Sequence, residues 1–247
     1  MDKHYLTPLF SPNSVVVFAG SLDAPNTQTA QAVALTEALR AQRFLGTLQF
    51  LDVQTSGTLA DLAQARADLA IIALPPEDVA AALEISGRMA CRAALLISNG
   101  TTLEQSNEWM KIAKREGMHL LGPNSLGMQR PSLQLNASAA GPLAAAGSLA
   151  LVSQSGALTT SMLDWASVNG VAFSSVVSLG PHTSVDLAQV LDFLANDAQT
   201  HSIVVYLEGI SSARRFMSAL RSAANTKPVV VLKAGRKPAG NAAAQTH

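Results

Sequence analysis

The chain has 247 residues, of which 48% are hydrophobic and 14% charged, enough for one large or two small domains around a substantial core. Seventeen Lys and Arg balance seventeen Asp and Glu, so no global field draws nucleic acid or an anionic membrane. No stretch approaches about 20 uninterrupted apolar residues, no apolar run follows basic residues near Met1, and the single cysteine, Cys91, cannot form an internal disulfide. The expectation is a cytoplasmic protein in a reducing compartment, with no membrane and no nucleic-acid partner.

Taken in order, Val15 to Phe18 reads as a strand buried on both faces, because its apolar residues are continuous and mostly β-branched. It stops at Ala19-Gly20-Ser21. Ala30 to Gln42 reads as a helix, Leu48 to Leu51 as a strand ending at Asp52, and Leu59 to Arg66 as a short helix. A strand over Asp68 to Leu74 is stopped by Pro75-Pro76. Helix Glu77 to Met89, strand Ala93 to Ile97, helix Leu103 to Glu116 and strand His119 to Leu121 follow, the last before Gly122-Pro123-Asn124. Such alternation means βαβ units and a parallel sheet. From Arg130 to Gly147 the pattern breaks into Pro, Ser, Asn, Ala and Gly, which reads as a linker between domains. The alternation then restarts, with strands predicted at 149–152, 171–177, 202–207 and 228–232, and helices at 156–168, 184–195 and 212–223. The fold class is therefore α/β with two domains, near 1–140 and 145–247.

Ligands of parallel α/β sheets bind beyond the carboxyl ends of the strands. Those ends here are small, polar or glycine-bearing: Gly20 and Ser21, Asp52, Pro75, Ser98-Asn99-Gly100, Pro123-Asn124, Ser153-Gln154-Ser155-Gly156, Gly180-Pro181-His182, and Glu208-Gly209. At Ser153 to Leu158 a strand turns tightly into a helix whose apolar positions Leu158, Met162 and Ala166 lie four apart. Two readings fit that turn. Free N–H groups of the first helical turn, with the Ser153 and Ser155 hydroxyls, hold an anion; or one serine only caps the helix. Glu208 has two readings as well, a functional acid or a strand-end carboxylate paired with Arg214 or Lys233. A conventional NAD site lacks support because Gly20 stands without the other glycines of Gly-x-Gly-x-x-Gly. Asp52, at the end of the second predicted strand, occupies the place of a ribose-binding acid but lies far from Gly20 for that role. A Walker A loop, a Gly-x-Ser-x-Gly elbow and paired metal ligands are absent from the sequence.

Taken together, Ser11-Pro12-Asn13-Ser14 with Val15-Val16-Val17, Gly122-Pro123-Asn124-Ser125-Leu126-Gly127, Ser153-Gln154-Ser155-Gly156-Ala157-Leu158, Tyr206-Leu207-Glu208-Gly209, and Lys233-Ala234-Gly235-Arg236 leading to His247 resemble the NDP-forming acyl-CoA synthetases, relatives of the succinyl-CoA synthetase α subunit. The resemblance implies an N-terminal Rossmann-like domain that binds CoA or acyl-CoA, then a flavodoxin-like ligase domain that looks cut short at its end. It implies CoA contacts from Gly20, Ser21, Asp52, Pro75, Ser98, Asn99, Gly100, Pro123 and Asn124. It further implies a phosphorylated histidine at His247, a phosphate held by Ser153, Ser155 and Gly156, and Glu208 orienting the imidazole. ATP or ADP would enter only through an ATP-grasp domain or subunit outside this chain, and a homo-oligomer is compatible with the family. The chain departs from the family where Ala19-Gly20-Ser21 replaces Gly-Ala-Ser and where Ser125 stands for a common Cys. A second resemblance, through Leu163-Asp164-Trp165-Ala166 and Ser211 to Ala224, is to bacterial GNAT-type protein lysine acetyltransferases. There a synthetase-like region acts as a non-catalytic CoA or acyl-CoA sensor.

Overall fold

The computed structural model describes residues 4–21, 28–53, 66–180 and 183–235. The helix expected over Leu59 to Arg66 falls almost wholly outside them, as does His247. A short helix, α1 (Thr7–Phe10), precedes the first sheet. That sheet is built from β1 (Ser14–Phe18), β2 (Thr47–Phe50), β3 (Leu69–Ile72), β4 (Ala93–Leu96) and β5 (His119–Leu121), all parallel, in the order β2-β1-β3-β4-β5. The intervening described helices are α2 (Ala30–Arg40), α3 (Pro76–Arg88) and α4 (Leu103–Arg115). Continuous apolar runs behave as a doubly covered parallel sheet requires. Val15 and Val17 of β1 enter one core cluster while Val16 and Phe18 enter the other, and Leu69 and Ile71 of β3 part from Ala70 and Ile72 in the same way.

The second sheet corrects the reading of Arg130 to Gly147 as a linker. Gly127–Arg130 is β6 and Leu135–Ser138 is β7, an antiparallel hairpin joined through one turn of 3₁₀ helix (Pro131–Leu133). They lie at the edge of a six-stranded sheet with β8 (Ala146–Ser153), β9 (Phe173–Ser178), β10 (Ser202–Leu207) and β11 (Val229–Lys233), ordered β11-β10-β8-β9-β6-β7. Strand β6 runs antiparallel to both of its neighbours, β9 and β7; the other neighbouring strands are parallel. The helices are α5 (Gly156–Asn169), α6 (Leu187–Asn196) and α7 (Ala213–Ala224). Helix α6 starts three residues later than the periodicity suggests. Asp186 caps it in a reciprocal box with Gln189, and the preceding residues are tied to the first sheet instead: Val185 N and the Ser184 hydroxyl both donate to the Leu120 carbonyl, at 3.0 Å each.

The two sheets share one core. The cluster on the Val15 face of β1 runs on through Met128, Leu135, Val152, Val177 and Leu191 of the second unit. Phe10 of α1 stacks on Phe193 of α6 with ring centroids 4.3 Å apart. Among the described residues, no helix is long and apolar enough to cross a membrane.

Candidate functional site

Both sheets have a point where the chain leaves one strand outward and returns on its other side, and such points open a crevice at the strands' carboxyl ends. In the first sheet this lies between β1 and β3. Gly20 (φ +78°) and Ser21 end β1, and Gln28 Nε2 donates to the Ser21 carbonyl at 3.3 Å. Pro75 precedes α3 as its N-cap, with no side chain bonded to the first-turn N–H groups. The loop after β4 is locked to the loop after β5. Asn124, in the left-handed region at φ +52°, accepts from Thr101 N at 3.2 Å through Oδ1 and donates its own N–H to Ser98 Oγ (3.4 Å). Ser98 and Thr101 hydroxyls meet at 3.0 Å. Gly100 (φ +68°) has open space where a side chain would stand, so the Ser98-Asn99-Gly100 backbone is approachable from the cleft.

In the second sheet the reversal lies between β8 and β10, and the Ser153–Gly156 turn and Glu208 flank it. Ser153 is fully buried, and its hydroxyl is spent on the turn, donating to the Ser155 carbonyl (2.9 Å) and accepting Ser155 N (3.1 Å). The Ser155 hydroxyl accepts Leu158 N at 3.3 Å and so caps α5. At Gly156 an added Cβ would lie 3.0 Å from Leu126, so a glycine lets the helix start pack against the loop that leads into β6. Gln154 crosses the reversal. Its N–H donates to the Tyr206 carbonyl (3.1 Å), and its Oε1 accepts both Glu208 N (2.7 Å) and Gly209 N (3.0 Å). Lys233 Nζ donates to the backbone carbonyl of Glu208 at 2.8 Å. The half-buried Glu208 carboxylate is in no ion pair or hydrogen bond among the described residues, so neither Arg214 nor Lys233 neutralises it.

The two edges face each other across one cleft of about 1350 Å³. Asn99, Gly100 and Asn124 come to it from the first sheet, and Ser155, Gly156 and Glu208 from the second. Close contact between the sheets sets its width. A Cβ on Gly180 would fall 1.7 Å from the Pro123 carbonyl oxygen, and Gly122 N donates to Thr183 Oγ1 at 3.2 Å. The Gly122–Pro123 peptide is cis. Ser153 sits beneath the wall rather than on it. Gly20, Ser21, Asp52 and Pro75 lie at the same edge of the first sheet, around its own reversal, and do not line this cleft. Asp186, on the far wall, pairs with Arg215 at 3.1 Å. No cluster of His, Cys, Asp or Glu among the described residues suits a metal. Gln154 and Gly180 stand in strand-end loops that the sequence points to, but neither role is legible there; the only signal for Gln154 is its place between the two serines.

Gly20 and Ser21 at the first reversal, with the uncapped start of α3 beside them, fit an elongated anionic ligand, and Asp52 is an acid at the same edge. A family model described as a CoA binding domain matches residues 46–131, and one described as a succinyl-CoA ligase like flavodoxin domain matches 146–247. The chain is 40% identical over 188 residues to the ADP-forming acetate–CoA ligase I of Archaeoglobus fulgidus, an alignment covering 73% of this chain and 27% of that protein. It is 35% identical over 187 residues to the α subunit of the ADP-forming acetate–CoA ligase I of Pyrococcus furiosus, covering 73% of this chain and 40% of that one. The chain thus spans well under half the length of these relatives. A dinucleotide-forming acetyl-coenzyme A synthetase 1 from Candidatus Korarchaeum cryptofilum, solved with phosphate and ADP, superposes with a TM-score of 0.88 at 28% identity, over 98% of this chain and 54% of that one. These relatives favour the ligase resemblance, and the link to an acetyltransferase is not supported.

Proposed function

This chain is a homologue of the α regions of ADP-forming acetate–CoA ligases, and we propose that it is the CoA-binding and phosphoryl-exchange portion of an NDP-forming acyl-CoA synthetase. The first-sheet edge, with Gly20, Ser21, Asp52, Pro75, Ser98, Asn99, Gly100, Pro123 and Asn124, takes CoA as a substrate. A phosphate oxygen attacks the thioester carbonyl of an acyl-CoA; the C–S bond breaks, CoA leaves as the thiol, and an acyl phosphate remains. His247 then attacks phosphorus through a ring nitrogen, the carboxylate leaves, and the histidine carries the phosphoryl group. Glu208 stabilises the ring as it becomes cationic, and the start of α5 at Ser155 and Gly156 stabilises the phosphoryl charge. An ATP-grasp domain or subunit exchanges that phosphoryl group with a nucleoside diphosphate, and the cycle runs in the reducing cytoplasm.

One observation carries this reading: a single cleft brings together the β4 and β5 loops of a CoA-binding domain, a helix start and an unneutralised carboxylate. Each has a part in the reaction proposed. Calorimetric titration tests it. CoA and acetyl-CoA should bind saturably and compete, while NAD does not bind. Binding of NAD with none of CoA would replace this reading with a dehydrogenase.

A further inference from the structure

Gln154 is fixed at three points: its own N–H donates to Tyr206, and its side-chain oxygen accepts Glu208 N and Gly209 N at 2.7 and 3.0 Å. Both partners of that oxygen are donors, so the atom between them must be the carbonyl oxygen, and the orientation of the amide is settled. The other end of the carboxamide, Nε2, carries two N–H donors that have no partner among the described residues. The side chain lines the cleft beside Ser155 and Glu208. The backbone N–H groups of Gly156 and Ala157 next to it are likewise without a partner there. A group of neutral donors beside a carboxylate suits an anion whose oxygens accept several bonds while a cationic partner faces the acid.

Resting on the function proposed above, we propose that Gln154 is a phosphate-binding residue whose Nε2 donates to an oxygen of the phosphoryl group passing through the cleft. Its oxygen holds the Glu208 loop and its nitrogen holds the group that loop serves. One side chain thereby fixes the distance between the acid and the phosphoryl group. The bond exists for phosphate, acyl phosphate and phosphohistidine alike, because each presents the same non-bridging oxygens.

The variant Gln154→Glu separates the two ends. A carboxylate still accepts from Glu208 N and Gly209 N, but presents an acceptor and a negative charge where the donor stood. Titration of the intact chain with inorganic phosphate, followed by ³¹P resonance, should show an affinity loss of about tenfold or more in the variant, as expected for one hydrogen bond to a charged group. Binding of CoA should be unchanged. In the wild-type protein the ¹⁵N side-chain amide resonance of Gln154 should shift saturably with phosphate, a readout that does not depend on the variant folding. Equal phosphate affinity in the variant, or an unmoved amide resonance, overturns the proposal. CoA binding without phosphate binding in the wild type overturns it too and leaves the CoA reading standing; binding of neither overturns both.

Discussion

Glu208 is useful only while its backbone stays where Gln154 and Lys233 hold it. The carboxamide takes the N–H groups of Glu208 and Gly209, and the ammonium takes the Glu208 carbonyl. The peptide is thus held on both sides, while the carboxylate forms no ion pair among the described residues. Replacing Glu208 by Gln keeps shape and backbone bonding but removes the charge that, in the proposed reaction, steadies an imidazolium. Phosphoryl transfer from acyl phosphate to the histidine should fall about a hundredfold or more, with CoA affinity unaltered; the rate at which labelled acyl phosphate labels the chain checks this. Full activity in that variant would leave Glu208 with no chemical part. Glu208 stands out in the sequence as an acid at the end of an apolar strand, but the role proposed for it comes from the family resemblance. Gln154 does not stand out, because its meaning is in a contact with residues 54 and 55 positions away. The Ser153 hydroxyl shows the converse: conspicuous in sequence, it is buried and committed to its own turn.

At the scale of elements, the β6–β7 hairpin is the part of the fold that the sequence hid. Its residues are buried, yet they include Gln129, Arg130, Asn136 and Ser138; β6 has no apolar alternation, and β7 alternates over four residues only, amid Pro, Ser, Ala and Gly. Local bonds satisfy most of that polarity, although Arg130 Nε and Asn136 Oδ1 are buried without a partner among the described residues. Gln129 Nε2 donates to the Pro142 carbonyl and its Oε1 accepts Ala144 N, both at 3.0 Å, and Asn136 Nδ2 donates to the Gly141 carbonyl at 3.0 Å. A stretch that folds back on itself in this way has the composition of a linker. Arg130 then reaches Asp197, past the end of α6, at 2.8 Å, with side-chain exposures of only 2% and 9%. Burial pushes the Asp197 carboxyl up, but the hydrogen bond and charge of Arg130, with bonds from Thr200 and Gln199, outweigh it and hold the carboxyl below its ordinary value. A depressed carboxyl stabilises the fold fully above its unfolded value, near about 4, and loses that contribution as pH falls through the lower folded value. Asp197→Ala leaves a buried guanidinium uncompensated and should cost about 3–5 kcal/mol at neutral pH. Urea unfolding of variant and wild type should show that gap at pH 7 and a narrower one near pH 3, and a gap that does not narrow would rule out the ion pair as its source.

For the whole molecule, the alternation of strands and helices made two parallel sheets legible from the sequence, since continuous β-branched runs admit little else. Their mutual placement was not legible. It depends on Gly180 lying against the Pro123 carbonyl, on Thr183 and Ser184 bonding to the end of β5, and on Phe10 stacking on Phe193. Those contacts couple residues far apart in the chain and leave no periodic trace. They bring the β4 and β5 loops of the CoA-binding domain up to the reversal of the second sheet, so that one cleft has Asn99, Gly100 and Asn124 on one wall and Ser155, Gly156 and Glu208 on the other.

The central claim is that this cleft serves a phosphoryl transfer to His247. The most direct measurement is to incubate the protein with acetyl-CoA and radiolabelled inorganic phosphate and examine it for bound label. The account predicts label on the chain that is stable to base, labile to acid, dependent on acetyl-CoA and abolished by His247→Asn. A chain that binds CoA and never takes label, or takes it equally in the His247→Asn variant, would contradict it.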